Sequence, residues 1–297
     1  MLDIENKISD NIKLSKPEET YSIGLYEGKS PFDLKPSAKI MNPIISRNDI
    51  LNDNVNFIAD PFAIFNDGLW YLFFESMDVG SRKGKIRVSV SKDKYYWTEG
   101  EPVLEEPFHL SYPQVFKEGN DFYMVPESYE ANEVRLYKAV DFPYKWKFEK
   151  VLLHQTCVDT TVYFQDDLWW MFACDTPHEH NRLRLYYADS IYGEWVEHPK
   201  SPICENDNQV SRPAGKLLNY KGKLYRFAQD CKPFYGHSVR AFEIKTLDQL
   251  EYKEKEIDAN PYLKGGNERW NRVSMHHIDL HKIEENHWIA FVDGRSH

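Results

Sequence analysis

One pattern recurs five times along this chain of 297 residues, and it constrains the fold more than any other feature. Its first copy is ADPFAIFNDGLWYLFFES. Asp60-Pro61 precedes a short apolar run, Asn66-Asp67-Gly68 breaks it, and an aromatic run closes on Glu75. An Asn/Asp/Gly break between two apolar runs is the signal of a β-hairpin. YPQVFKEGNDFYMVPES, VDTTVYFQDDLWWMFACD, RPAGKLLNYKGKLYRFAQD and HHIDLHKIEENHWIAFVDG repeat it. The copies start at positions 60, 114, 159, 212 and 277, so successive starts lie 54, 45, 53 and 65 residues apart. Periods near 50 with several strands per unit are the signature of a β-propeller, one blade per repeat.

The segments after each hairpin supply the outer half of a blade. KIRVSVSKDKYYW, EVRLYKAVDFPYKW, RLRLYYADSIYGEW and SVRAFEIKTLDQLEY each read as a third strand, a turn and the start of a fourth. The fifth copy ends at AFVDGRSH after two strands. SIGLYEG near the N-terminus resembles a third strand and KIMNPIIS an outer one. The N-terminal segment is therefore expected to close the ring on the C-terminal hairpin, since an open blade leaves an unpaired edge. The fold class is all-β: one five-bladed β-propeller over residues 21–297, preceded by a polar arm or short helix over residues 1–20. Arg87, Arg135, Arg184 and Arg240 recur at one position of strand three and are expected to be structural, pairing with the next blade. Trp97, Trp146 and Trp195 are expected to be packing residues.

Composition sets the partner class. The net charge of −10 argues against nucleic acid or an anionic membrane surface, which demand a basic face. No stretch approaches a membrane span and the N-terminus has no apolar signal region, so a cytoplasmic location is expected. Cys157, Cys174, Cys204 and Cys231 show no zinc spacing and are expected to be buried free thiols. No tight His/Asp ligand cluster is legible, so no metal cofactor is expected, with a single structural ion on the axis left open.

The geometry of a propeller tells where a site belongs. The first strand of each blade lines the axis, and an antiparallel hairpin brings its second strand back to the side where the first began. Asp60 and Glu75 are thus expected at one mouth. So are Gln114 with Glu127, Asp159 with Asp175, Arg212 with Asp230, and His277 with Asp293. His109 precedes the inner strand of blade two, and His276 stands beside His277. Tyr235, on the loop of AQDCKPFYGHSVR, suits stacking on a sugar ring. Each pair alone is also ordinary turn chemistry; five at equivalent positions point to a polar, acidic funnel.

ADPFAIFNDGLWYLFF with VDTTVYFQDDLWWMFACD resembles the five-bladed propeller glycosidases of glycoside hydrolase family 43 and its relatives. IGLYEGKSPFDL, EEPFHLSYPQVF, YMVPES, SRPAG, QDCKPFYG and FVDG resemble the N-terminal domain family of plant glucosamine inositolphosphorylceramide transferases and its standalone bacterial relatives. The family 43 resemblance implies a catalytic-base Asp at Asp60 and an orienting Asp at Asp159. Its general-acid Glu falls where this chain has Arg212. Arginine does not give up its proton at neutral pH, and its planar fork suits phosphate or carboxylate. A phosphate leaving group needs charge stabilisation rather than a proton.

Three readings follow. The first is glycosyl transfer from an activated sugar phosphate in polysaccharide or glycolipid assembly, on a carbohydrate substrate that is nucleotide-activated. Asp60 is then base or nucleophile, Asp159 orients, Arg212 binds the anion, and Glu127, Asp230 and His277 hold hydroxyls. The second is a glycoside hydrolase with Glu127 as displaced acid and Glu75 as a further candidate. The third is a glycan-binding propeller without chemistry.

Overall fold

The computed structural model describes residues 20–296, so the arm expected over residues 1–20 lies, but for Thr20, outside the described residues. Strands and three short 3-10 turns carry the architecture, with no α-helix among the described residues and hence none able to cross a membrane. β1 (Tyr21–Gly28) and β2 (Leu34–Pro36) open the chain. Blade one is β3 (Val55–Asn66), β4 (Leu69–Asp78), β5 (Gly84–Ser91) and β6 (Glu101–Leu104). Blade two is β7 (Ser111–Glu118), β8 (Asp121–Glu127), β9 (Val134–Asp141) and β10 (Lys145–Leu153). In blade three, β11 (Val158–Gln165), β12 (Leu168–Cys174) and β13 (Arg182–Ala188) carry β14 (Val196–Glu197) and β15 (Cys204–Glu205) on the outer edge. In blade four, β16 (Arg212–Pro213) and β17 (Leu218–Tyr220) share the inner position. β18 (Lys223–Asp230), β19 (Ser238–Leu247), β20 (Tyr252–Glu256) and β21 (Leu263–Lys264) complete it. β22 (Ile278–Glu284) and β23 (His287–Arg295) begin blade five.

The ring closes as the truncated fifth repeat requires. β1 runs antiparallel to β23 from Tyr21 opposite Arg295 to Gly28 opposite Trp288, and β2 pairs outside β1. The outermost strand is Leu34–Pro36 rather than KIMNPIIS, which contributes one bridge from Ile45 to Ile23. Asn42 explains the difference: its side chain takes the N–H of Leu25 and donates to the Leu25 carbonyl, filling the place of a strand there.

Hydrophobic burial is organised between blades rather than along the axis. One buried cluster lies at each of the five seams between neighbouring blades. This is why the second strands read as continuous apolar runs. In LWWMFA, Trp169, Met171 and Ala173 face blade two while Trp170 and Phe172 face blade four. Successive side chains point to opposite faces, and both faces are covered. Trp195 is buried, while Trp97 and Trp146 pack half-buried beside the same seams.

The strand-three arginines are structural, and most of their ionic partners belong to their own blade; Arg135 also reaches Glu106, just beyond the outer strand of blade one, at 4.0 Å. Arg184 is held by Asp175 and Glu197, Arg240 by Asp230 and Glu256, and Arg135 by Glu133. Arg87 donates to Ser76 and the Gly100 carbonyl and pairs with Asp53, just upstream of β3. Arg184 and Arg240 each sit one strand from an acidic residue of the same sheet, Glu197 and Glu256, so those pairings close locally. All four cysteines are free thiols; Cys157, Cys174 and Cys231 are buried and Cys204 half-buried.

Candidate active site at the axial mouth

Three inner strands carry the same irregularity, and it positions the site. Register shifts fall between Ala59 and Phe62, Ser111 and Gln114, and Val158 and Thr161. Within them Asp60, Tyr112 and Asp159 adopt left-handed backbone, at φ of 54°, 46° and 48°. A bulge of this kind re-aims one side chain, and Asp tolerates the left-handed region better than most residues. Asp60 therefore sits inside β3 rather than ahead of it. Its equivalent in blade two is Tyr112, with Gln114 two residues further on.

Asp60 meets the closing blade. The Asp60 N–H donates to Asp293 Oδ2 (3.3 Å), and the Tyr112 N–H donates to Asp60 Oδ2 (3.3 Å). Asp293 Oδ1 accepts the backbone N–H groups of His276 and His277 at 3.1 and 3.0 Å. His276 Nδ1 lies 2.7 Å from Asp293 Oδ2, and its Nε2 lies 3.8 Å from Asp60 Oδ1. Tyr21 of β1 stacks on the His276 ring at 4.7 Å between centroids. Asp60, His276 and Asp293 each offer one ligand atom, all within 4.8 Å of one another, so the triad has the donor set and spacing for a cation.

Arg212 is the second node. Its Nε donates to Asp159 Oδ2 at 2.5 Å and its Nη2 to Glu127 Oε2 at 3.2 Å. Gln229 Nε2 adds a bond to Asp159 Oδ2 (2.6 Å), and the Asp159 N–H donates to Glu127 Oε2 (3.0 Å). Arg212 Nη1 lies 3.1 Å from His180 Nδ1, and the guanidinium lies 5.0 Å from the Tyr235 ring centroid. Tyr235 also meets His180 and, edge-on, His276, so it connects the two nodes. Above Arg212 opens a pocket of about 350 Å³ lined by Glu127, Tyr129, Val158, Pro177, His178, His180, Arg212 and Tyr235.

The remaining expected residues divide. Glu75 is brought to the mouth, buried, with its Oε1 3.7 Å from His109 Nε2. Gln114 is buried but committed across a seam: its amide exchanges two 2.7 Å bonds with the backbone of Val162. His277 is sealed under the mouth, its Nε2 on the Pro61 carbonyl (3.1 Å). Asp175 and Asp230 are not brought in. Asp175 is held by Arg182, Arg184 and Gln155, and Asp230 by Arg240, Gln209 and the Lys232 N–H. Sequence reasoning passed over Gln229, His180 and Tyr129, and did not separate His276 from its neighbour His277. Gln229 was findable, because it stands one residue before Asp230, on the opposite face of the same strand.

Electrostatics follow from crowding acids out of water. Burial pushes both Asp60 and Asp159 up to about 7, against the pull of His276 on the first and Arg212 on the second. Burial and then the neighbouring carboxylates, Asp60 first, push Glu75 well above its ordinary range. Burial opposes the charge on His276, yet Asp293 holds it up at about 9. Asp293 is in turn held below its usual value by the His276 cation, despite its own burial. Burial lowers His277 and His180 to about 4, with Arg212 adding to the effect on His180. The mouth thus holds proton-accepting and proton-holding carboxyls side by side near neutrality, the condition for acid–base work.

The five-bladed propeller fold is shared with solved glycoside hydrolase structures. A putative glycosidase from Bacteroides thetaiotaomicron superposes with a TM-score of 0.64 at 10% identity, covering 89% of this chain and 97% of that one. The catalytic domain of a Coprinopsis cinerea GH62 α-L-arabinofuranosidase does so at 0.62 and 12%, covering 80% and 91%. At such identities the likeness is one of fold. The chain belongs to the family of the glucosamine inositolphosphorylceramide transferase 1 N-terminal domain, whose family model matches residues 14–295. Glucosamine inositolphosphorylceramide transferase 1 of Oryza sativa subsp. japonica is 36% identical over 93% of this chain, and that of Arabidopsis thaliana 34%. The match spans 40% and 39% of those relatives, so the chain has about two-fifths of their length.

Proposed function

We propose that the axial mouth acts at the anomeric carbon of a sugar, transferring a glycosyl group from an activated sugar phosphate in glycolipid assembly. The observation that carries this reading is membership of a family whose curated relatives, 34–36% identical over 93% of the chain, are named as transferases. The geometry supports it in three ways. A pocket of about 350 Å³ suits one sugar residue, with Tyr129 and Tyr235 offering ring faces and Glu127 and His180 offering polar atoms. Asp60, poised near 7, is matched to accept the proton of an acceptor hydroxyl. The surplus of carboxyls over Arg212 and His276 favours a cationic amino group, and the relatives' name specifies an amino sugar.

This reading assigns each residue a role. The acceptor oxygen forms its bond to the anomeric carbon and gives its proton to Asp60, while the phosphate departs with the bonding electrons past Arg212 Nη1 and His180. Asp159 and Gln229 hold the guanidinium in place. The test offers nucleotide-activated hexosamines with inositol-phosphate glycolipid acceptors and looks for the glycosylated product by mass. Asp60→Asn is expected to lose roughly 100-fold or more of the rate.

A second reading, glycoside hydrolysis, is favoured by one observation. Arg212 already shares its charge with Glu127 and Asp159, which weakens its hold on a phosphate. Release of free sugar from aryl glycosides, with no transfer product, would select it.

A further inference from the structure

Five carboxyl groups are buried around the mouth, and four of them accept hydrogen bonds. Asp60 accepts from Tyr112, Glu127 from Asp159 and Arg212, Asp159 from Arg212 and Gln229, and Asp293 from three backbone N–H groups. Such bonds stabilise the anion. Glu75 differs: its Oε1 is sealed from solvent and has no hydrogen-bond partner among the described residues. The nearest candidate donor is His109. Its Nδ1 accepts the Gly84 N–H at 2.9 Å, which leaves the ring proton on Nε2, 3.7 Å from Glu75 Oε1. A Cβ on Gly84 would lie 2.8 Å from both Glu75 Oε1 and His109 Cε1. A buried carboxylate without a donor is costly, whereas a neutral carboxylic acid is not.

We propose that Glu75 is the proton donor of the axial mouth, kept as a neutral acid in the resting protein, with His109 fixed to receive the carboxylate that forms. The inference rests on the second reading of the mouth, cleavage of a glycosidic bond, because a departing phosphate needs no proton. The bond from the anomeric carbon to the leaving oxygen breaks, the electron pair stays on that oxygen, and the Glu75 proton moves to it. The attacking water or hydroxyl bonds to the carbon and gives its proton to Asp60. Glu75 then regains a proton from solvent, and Asp60 releases the one it took. The carboxylate left behind gains the His109 Nε2–H as that 3.7 Å gap closes. The groups facing Glu75 are Asp60, Glu127, Asp159, Asp293 and His109, and those facing His109 are Glu130, Arg212 and Asp159. All the acids oppose a second negative charge at Glu75, and burial acts in the same direction.

Two measurements separate this proposal from the reading it rests on. Isotope-edited infrared spectra of the whole protein at pH 7 report protonated carboxyls directly. A carboxylic-acid band is expected that moves on 13C-glutamate labelling, not on 13C-aspartate labelling, and disappears in Glu75→Gln. Absence of any glutamate band overturns the proposal, and the labelled wild type alone decides this even if the variant fails to fold. The second measurement compares leaving groups. Glu75→Gln is expected to lose roughly 100-fold on alkyl or sugar leaving groups and to stay within about tenfold on a nitrophenyl glycoside, which needs no protonation. Equal losses on both overturn the donor role. A glutamate band with no turnover of any glycoside by the wild type removes the glycosidic-bond reading and the donor role with it, while leaving the neutral acid in place.

Discussion

Arg212 shows how a single side chain decides what a buried acidic site can tolerate. Its guanidinium is the cation that Glu127 and Asp159 share, and the pair geometry is close. Removing one partner of a buried ion pair strands the other and costs about 3–5 kcal/mol. Arg212→Met is expected to lose stability in that range at pH 8 and much less at pH 5, where the stranded carboxyls take up protons. Denaturant titrations at the two pH values check this, and an equal loss at both would mean that the guanidinium does not serve as the counter-charge. The wild type carries the same signature in weaker form. Asp60 and Asp159 are raised to about 7 and His276 to about 9. Each raised group adds stability that is complete below its ordinary value and lost as pH rises through the folded one. Asp293, held low, acts oppositely, and its contribution disappears only as the pH falls through its folded value in acid. The melting temperature should therefore decline from pH 5 to pH 9.5. In His276→Gln the part of the decline between pH 6.5 and 9 should flatten; an unchanged slope there would remove His276 from the account.

At the level of strands and loops, the repeat was legible because every blade spells its hairpin with the same break and the same apolar run. The mouth was legible less evenly. Asp60, Asp159, Glu75, Glu127 and Arg212 are buried at the mouth, although Asp60 and Glu75 lie inside their strands rather than at the strand ends where the hairpin argument puts them. Asp175 and Asp230 are not brought there, because the residues opposite the first strand are Cys174 and Gln229, one position earlier. A one-residue offset turns a side chain to the other face. There the strand-three arginines collect it. The bulges that turn Asp60 and Asp159 inward carry no motif of their own, so their left-handed backbone could not be read from residue types. The inner strand of blade four has a glycine in a comparable place. Gly215 adopts φ 136°, a Cβ on it would lie 1.8 Å from the Ile278 carbonyl oxygen, and its N–H donates to the Tyr112 hydroxyl at 2.6 Å. Backbone strain and overpacking each cost about 1–3 kcal/mol. Gly215→Ala is thus expected to lower stability by about 3 kcal/mol or more, read from the shift of the urea midpoint. A loss under about 1 kcal/mol would show that the seam between blades four and five yields.

Ring closure joins fold and site in the whole molecule. Five seams share the hydrophobic burial, and the seam between blades five and one contains Ile23 and Leu25 of β1, both fully buried. Without β1, β23 presents a bare edge along the positions from Trp288 to Arg295, and the seam loses its outer wall. The same strand reaches the chemistry. Tyr21 stacks on His276, and His276 with Asp293 sets the charge beside Asp60. Closing the ring and completing the mouth are therefore one event, reached only when residues 260 or more positions apart pair. A chain beginning at residue 29 is expected to lose near-ultraviolet circular dichroism and cooperative unfolding, and to associate through its open edge. Adding a peptide of residues 20–46 in excess should restore both signals in proportion to its binding, because that peptide brings the strand, the Asn42 contact and the Ile45 bridge together. Cooperative unfolding of the shortened chain at the wild-type temperature would mean that four complete blades hold the fifth without closure. The site would then have to be preorganised by the bulges alone.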